Sequence, residues 1–391
     1  MMEKREIYLD NSATTPLSEV SKGAIERAIG VYGNPSSLHS MGQEAHRLLE
    51  EARRQVLSGL GVRQRRDGGA LVFTSSGTEA TALALMGTAY AKERRDATRI
   101  LTTNSEHPSV ARVMDRLAED GFEIIRIPTR GGVLDMDAVR AALDKKIFLA
   151  SFMLVNNETG AIYRVAEAFK AIKQKYPDTI THCDAVQGFM KVAFTPASLC
   201  ADTVTVSAHK IHAPKGVGAL YISGDLLKTK RIVPYILGGS QEDGMRSGTE
   251  NVIGITSFGA SVEDIEKRRG DIAKYMEELR AYADERLASL DLRINLPLGD
   301  RLPNIINITL PKIKSETMLH ALSADGIFVS SGSACSSHSK KTSDSLIAFG
   351  LTSAEADCSL RISMSEYNTK EDIDALTSSL EKNIARLVRI R

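Results

Sequence analysis

The sequence predicts an α/β protein: a mostly parallel sheet covered on both sides by helices, with a smaller α+β domain attached. Three observations carry that expectation. Between residues 70 and 222, short, wholly apolar runs alternate with helical patterns. Strands apolar on both faces belong to sheets buried on both sides, and helical crossovers make neighbouring strands parallel. After about residue 258 the texture changes to a long charged helical stretch and two isolated apolar runs. The length, 391 residues, also exceeds one average domain, so two lobes are expected.

Taken in order, the strand candidates are Ala70–Thr74, Arg99–Thr103, Phe122–Ile127, Ile147–Val155, Thr179–Cys183 and Thr203–Val206. Helices are expected over Glu79–Arg94, Ser109–Glu119, Asp137–Lys145 and Val165–Tyr176, the last stopped by Pro177. Beyond residue 258 come a helix over Val262–Leu290 and strands over Asn304–Leu310 and Gly326–Ser330. The chain closes in a helix that Thr369 and Asp372 open in capping-box fashion, with Ile373, Leu376, Leu380, Ile384 and Leu387 on one face. There is no internal repeat. Residues Ser330 to Ser345, rich in Ser, Gly and Lys, read as a mobile loop.

Composition excludes several classes. A net charge of +1 leaves no footprint for nucleic acid or an anionic membrane. The short basic runs Arg63, Arg65, Arg66 and Lys92, Arg94, Arg95 read as solvated faces. Met1 to Asp10 carries Glu3, Lys4, Arg5 and Glu6 with no apolar core, so no signal peptide is expected. The longest apolar run, Ile147–Val155, falls well short of the roughly 20 residues a membrane span needs. Cysteines 183, 200, 335 and 358 form no CxxC pair and no zinc-like spacing. No metal site is expected, and a reducing cytoplasm fits better than a disulfide scaffold.

Reactive residues cluster just after predicted strands, where ligands bind in such sheets. Thr74-Ser-Ser-Gly-Thr78 ends one strand and opens a helix, a place where backbone N–H groups and hydroxyls can hold a phosphate. Alone it equally suits an ordinary N-cap turn. Gly216-Val-Gly218 lacks the third glycine and acidic residue of a dinucleotide site. Asp184 ends a strand in His182-Cys-Asp-Ala-Val-Gln187 and could pair with a protonated ring nitrogen, or merely cap the next segment. Lys210 ends the strand of Val204-Thr-Val-Ser-Ala-His-Lys210, where burial beside a cation would lower its pKa toward that of a usable nucleophile.

The order of these motifs is more specific than any one of them. Tyr8-Leu-Asp-Asn-Ser-Ala-Thr-Thr-Pro16, Gly33-Asn-Pro-Ser-Ser-Leu-His39, Glu106-His-Pro108, Val155-Asn-Asn-Glu-Thr-Gly160 and Asp184-Ala-Val-Gln187 come first. Ser207-Ala-His-Lys210, Pro214-Lys-Gly-Val-Gly-Ala-Leu220, Gln241-Glu-Asp-Gly-Met-Arg-Ser-Gly-Thr-Glu-Asn251 and Ser331-Gly-Ser-Ala-Cys335 follow. Nearly end to end, this sequence resembles the class V aminotransferase branch of the fold-type I pyridoxal 5'-phosphate (PLP) enzymes. Within that branch the last two motifs resemble the NifS/IscS-like cysteine desulfurases.

That resemblance implies a large PLP-binding domain over residues 15–257. It assigns residues 1–14 and 258–391 to a small domain carrying the catalytic Cys loop, about 330–345. By the same resemblance Lys210 carries the coenzyme and Asp184 holds its ring nitrogen. Gly77, Thr78, Ser207 and His209 bind the phosphate, with Thr249 reaching it from a second subunit of a homodimer. Gln187 and Asn157 bond the ring oxygen, His107 stacks on the ring and relays protons, and Arg361, helped by Asn34, clamps the substrate carboxylate. The planar, two-pronged guanidinium suits a carboxylate.

Cys335 discriminates this reading from its neighbours. It lies among small polar residues, with Lys340 and Lys341 near in sequence, whereas Cys183 adjoins an apolar strand. Exposure beside cations favours the reactive thiolate. The resemblance makes L-cysteine the substrate, Cys335 the persulfide carrier and a sulfur-acceptor protein, such as an iron–sulfur scaffold, the partner. Two departures from the family pattern stand out: Ser76 where glycine is usual, and Ala82 where asparagine is usual. Another class V enzyme, an aminotransferase or selenocysteine lyase, would share Lys210 and Asp184 without needing Cys335. A non-catalytic assembly scaffold would need none of them.

Overall fold

The computed structural model describes residues 5–62, 69–91, 97–331 and 342–387. Its centre is a seven-stranded sheet. From one edge to the other the strands are Ala70–Thr74, Gly218–Ile222, Thr203–Ser207, Ile180–Asp184, Ile147–Met153, Arg99–Thr103 and Glu123–Ile127. All six strands expected from the sequence are present. The seventh, Gly218–Ile222, was not anticipated and is the one reversed member, antiparallel to both neighbours. Its glycine obscured it: Gly218 reads as loop, yet a Cβ there would lie 2.3 Å from the carbonyl carbon of Ser76, so only glycine lets this strand pass the Ser76–Gly77 turn.

Helices cover both faces, as expected for strands this apolar. Gly77–Tyr90 begins two residues before the expected Glu79, because Ser76 is its N-cap and accepts from Glu79 N at 3.1 Å. Pro108–Glu119, Met136–Ala142 and Val165–Lys175 occupy the other three expected places. Glu19–Ile29 and Ser40–Gly59 were passed over in the sequence, and both pack against a helix of 37 residues, Val252–Ala288. That helix starts ten residues before the expected Val262. Its first turns are rich in small residues rather than amphipathic, because they lie against the Ala52 backbone: a Cβ on Gly259 would come within 2.6 Å of Ala52 Cα.

A second apolar cluster joins the later turns of this helix (Met276, Leu279, Ala283, Leu287) to Ile373, Leu376 and Leu380 of the closing helix Lys370–Arg386. Asp372 Oδ2 accepts from Thr369 N at 3.1 Å, the carboxylate half of the expected capping box. Between the helices lies a four-stranded antiparallel sheet in the order Ser330–Ser331, Ser359–Ser363, Ile305–Thr309, Arg293–Ile294. The expected strand Gly326–Ser330 is two: Ile327–Phe328 pairs in parallel with Ile7–Tyr8, and Ser330–Ser331 joins the four-stranded sheet.

The expected loop Ser330–Ser345 is likewise corrected at its ends. Ser330 and Ser331 are strand, and Asp344–Phe349 is a helix whose N-cap, Ser343, accepts from Leu346 N at 3.2 Å. Residues 332–341, including Cys335, Lys340 and Lys341, lie outside the described residues, as do the basic runs 63–66 and 92–95. Among the described residues no helix is long and apolar enough to cross a membrane, and no cluster of His, Cys, Asp and Glu could hold a metal.

Candidate active site

The strand ends Asp184 and Ser207 open onto a cavity of about 390 Å³. Ten of the residues singled out in the sequence line it: Gly77, Thr78, His107, Asn157, Asp184, Gln187, Ser207, His209, Lys210 and Arg361. Asn34 and Thr249 do not. Asn34 is exposed and spends its side chain on a local turn, its Oδ1 accepting from Ser36 N at 2.9 Å. Thr249 is exposed in the stretch after Arg246, away from its own chain's cavity. Of the two departures from the family pattern, Ser76 caps the helix and itself lines the cavity, whereas Ala82 is not part of the cavity wall.

Each wall group is held by its local fold. Lys210 follows the strand Thr203–Ser207 in a single helical turn and donates to the carbonyls of Ser12 and of Ala13, the latter at 2.7 Å. The N-terminal segment thus forms part of the site. Asp184 is buried at its strand end, and its Oδ1 accepts from Val186 N at 3.0 Å. Burial pushes its carboxyl up to about 6, against the pull of that N–H and of the Lys210 charge. A cation lodged beside it would be favoured for the same reason.

His107 does two things. Its Nδ1 accepts from Ser109 N at 3.2 Å and so N-caps the helix Pro108–Glu119. An Nδ1 that accepts from a backbone N–H leaves the ring proton on Nε2. Burial, then the positive charges of Lys210 and Arg361, hold the imidazole down to about 4, neutral at ordinary pH. His209 is treated alike, lowered to about 4 by burial and the neighbouring lysines 210 and 215. Gln187 gives one N–H to Ser12 O at 2.9 Å and keeps a second.

Arg361 stands on Ser359–Ser363, a strand the sequence did not betray. Its Nη2 pairs with Asp10 Oδ1 at 2.7 Å and its Nη1 donates to Asn157 O at 3.1 Å. Its Nε is buried without a partner. Sequence reasoning missed Asp10 and Glu158, both on the cavity wall. The signal was present, since both lie in motifs that carried the family resemblance, but nothing in the residues alone gave them a task.

The groups on the cavity wall fit a phosphate-bearing coenzyme. Ser207 Oγ and Gln187 Oε1 are buried polar atoms with no partner, and both residues line the cavity. Buried polar groups are rarely left so. The first N–H groups of the helix at Gly77 have no intrahelical acceptors, and a Cβ at Gly77 would press on Val186 Cγ2 at 3.0 Å and Ser207 Cβ at 3.3 Å. Free helix N–H groups, a buried carboxyl and a lysine therefore share one cavity. None of the described cysteines lines it: Cys183 and Cys358 are buried thiols pushed up by desolvation, Cys183 well above its ordinary range.

A fold and site of this kind define a coenzyme-dependent enzyme of the aminotransferase class-V family, whose model matches residues 7–376; the chain belongs to that family. Its similarity extends to the cysteine desulfurases in particular. It is 37% identical over 390 residues to the cysteine desulfurase IscS of Dictyoglomus turgidum, covering 98% of this chain and 96% of that protein. A solved NifS-like protein superposes with a TM-score of 0.89 at 35% identity, over 98% of this chain and all of that one. SspA, solved in complex with cysteine, superposes with a TM-score of 0.79 at 26% identity, over 93% of this chain and all of SspA.

Proposed function

We propose that the chain is a PLP-dependent cysteine desulfurase that converts L-cysteine to L-alanine and leaves the sulfur as a persulfide on Cys335. The observation that carries this reading is convergence. Lys210, Asp184, His107 and Arg361 meet on one cavity, and Ser331 on its rim precedes Cys335 by four residues. Bound PLP supplies an electron sink joined to the substrate α-carbon.

The chain's own groups do the rest. Lys210 carries the coenzyme, and Asp184 keeps its ring nitrogen charged. Ser207, His209 and the N–H groups of Gly77 and Thr78 hold the phosphate, and Gln187 and Asn157 face the ring oxygen. His107 would stack on the ring, with its Nε2 proton available for relay. Arg361 binds the substrate carboxylate, with Asp10 and the Asn157 carbonyl fixing the guanidinium. Asn34, which is not among the residues lining this cavity, would assist from a second subunit. The Cys335 thiolate attacks the substrate sulfur: an S–S bond forms, the C–S bond breaks, and the freed carbon takes a proton to become alanine.

The exposed position of Thr249, outside its own cavity, supports a homodimer in which each subunit lends Thr249 to the other's phosphate. The reading includes a large domain of residues 15–257, and a small domain of 1–14 and 258–391 in a reducing cytoplasm. A sulfur-acceptor protein, such as one that assembles iron–sulfur clusters, takes the persulfide onward.

Cys335→Ala tests this reading. The variant should keep the coenzyme's colour and its spectral response to cysteine, yet release no sulfide and carry no persulfide. Sulfide release at near wild-type rate would make the protein another kind of PLP lyase.

A further inference from the structure

Glu158 belongs to no step described so far, yet it lies where two cavities meet. It lines the coenzyme cavity and also a wider groove of about 1020 Å³ whose wall includes Thr103 and Pro128. Ser343 donates its hydroxyl proton to this carboxylate, 2.8 Å from Oε1 and 2.7 Å from Oε2. The same hydroxyl accepts from Leu346 N and so starts the helix Asp344–Phe349. Ser345 also faces the carboxylate. Ser343 is the second described residue after the 332–341 segment, eight positions beyond Cys335.

The other flank of that segment is tied to the same place. Ser330 pairs with Arg361 across the antiparallel sheet. Arg361 in turn donates to the carbonyl of Asn157, the residue before Glu158. Asn307, opposite Arg361 on the next strand, donates to Glu158 O at 3.3 Å. Both attachments of the Cys335 segment thus converge on the arginine that faces the substrate, one through the sheet and the other through the Glu158 carboxylate.

We infer that Glu158 is a positioning residue for sulfur transfer: by holding Ser343 it fixes the downstream attachment of the Cys335 segment against the substrate cavity. The inference rests on the desulfurase reading and adds a residue to it. A carboxyl group suits the task because an unprotonated oxygen accepts the serine proton in either charge state. Burial pushes the group up to about 7, against the pull of the Ser343 hydroxyl and the Arg361 charge. Misplacing a reacting group by about 1 Å can cost roughly 10²-fold in rate. The loss should therefore fall on the transfer step, with substrate binding spared.

The test compares Glu158→Ala, Glu158→Gln and Ser343→Ala in the full-length, coenzyme-loaded protein. Single-turnover persulfide formation from radiolabelled cysteine should fall about 10- to 100-fold in Glu158→Ala and Ser343→Ala. The cysteine concentration that half-saturates the spectral change should stay within a few-fold. Glu158→Gln, whose amide oxygen still accepts from Ser343, should recover most of the rate. The double variant Glu158→Ala/Ser343→Ala should be no worse than either single one, because the two act as one contact. Peptide-mapped alkylation of Cys335 by iodoacetamide should be faster in both alanine variants and not in Glu158→Gln. Unchanged persulfide and alkylation rates in Glu158→Ala would overturn the inference, and so would a loss of cysteine binding equal to the loss of rate. Failure of the desulfurase reading looks different: the wild type itself would form no persulfide, while alkylation would still report on the Glu158–Ser343 tie.

Discussion

Arg53 and Glu242 form a two-pronged, buried ion pair, Nη1 to Oε2 at 2.7 Å and Nη2 to Oε1 at 3.0 Å. Arg53 also donates to Leu71 O at 2.6 Å, and Glu242 accepts from Phe73 N at 2.9 Å. The pair therefore bolts the 241–249 stretch to the strand that leads into the Ser75–Thr78 turn. A second bolt, Arg246 Nε to Glu79 Oε1 at 2.7 Å, holds the same stretch to the first turn of the next helix. Removing one partner of a buried pair strands the other charge and costs about 3–5 kcal/mol. Arg53→Ala should lower stability by that amount in urea unfolding and loosen coenzyme retention. A variant as stable as the wild type would mean that water reaches Glu242.

If Thr249 serves the neighbouring subunit, defects in Thr249 and Lys210 should complement. Lys210→Ala alone should lack the coenzyme's visible band and all turnover, and Thr249→Ala should bind the coenzyme weakly. Mixed dimers of the two contain one site with both defects and one with neither. Co-refolding them should restore activity that neither variant shows by itself. No recovery in a verified heterodimer would place Thr249 outside the partner's site.

Asp184→Asn should fold normally and lose most of the rate, because an amide cannot hold the ring nitrogen in its charged form. Removing one preorganised electrostatic group of this kind typically costs about 10²–10³. A rate within a few-fold of wild type would show that another acid supports the ring.

Glu106 predicts a pH dependence of stability. Its Oε1 accepts from Thr103 Oγ1 at 2.8 Å and from Met153 N at 3.0 Å, while its Oε2 has no partner. Burial, aided by the Asp184 charge, pushes it from 4.5 up to about 8. Between those values the folded protein holds a proton that the unfolded chain has released. Stability contributed by this group is therefore full below pH 4.5 and lost as the pH climbs toward 8. Glu106→Gln should flatten the decline of the coenzyme-free Tm across that window; identical slopes in both proteins would refute it.

The parallel strands were legible because burial on both faces writes them as apolar runs. Of the candidate site, Asp184 and Lys210 stood out by their strand-end positions, and the other residues were found through the family resemblance. The strand Gly218–Ile222 was not legible, since the close pass at Ser76 demands a glycine that reads as a turn. Ser359–Ser363 was hidden for the opposite reason. Its alternation of Ser, Leu, Arg, Ile and Ser looks half-exposed, yet all five residues are buried, the arginine because Asp10 and Asn157 take its hydrogen bonds. Asp10 and Glu158 are sites of pure tertiary convergence, made by contacts across more than 180 positions of chain.

The pairing of Ile7–Tyr8 with Ile327–Phe328 has a bearing on biogenesis. A ribosome makes the first of these strands about 320 residues before the second, some tens of seconds at ordinary elongation rates. Through that interval Leu9, fully buried in the finished molecule, lacks the Phe328 carbonyl to which its N–H donates. The segment that carries Ser12 and Ala13 to Lys210 therefore completes its strand pairing only late in synthesis.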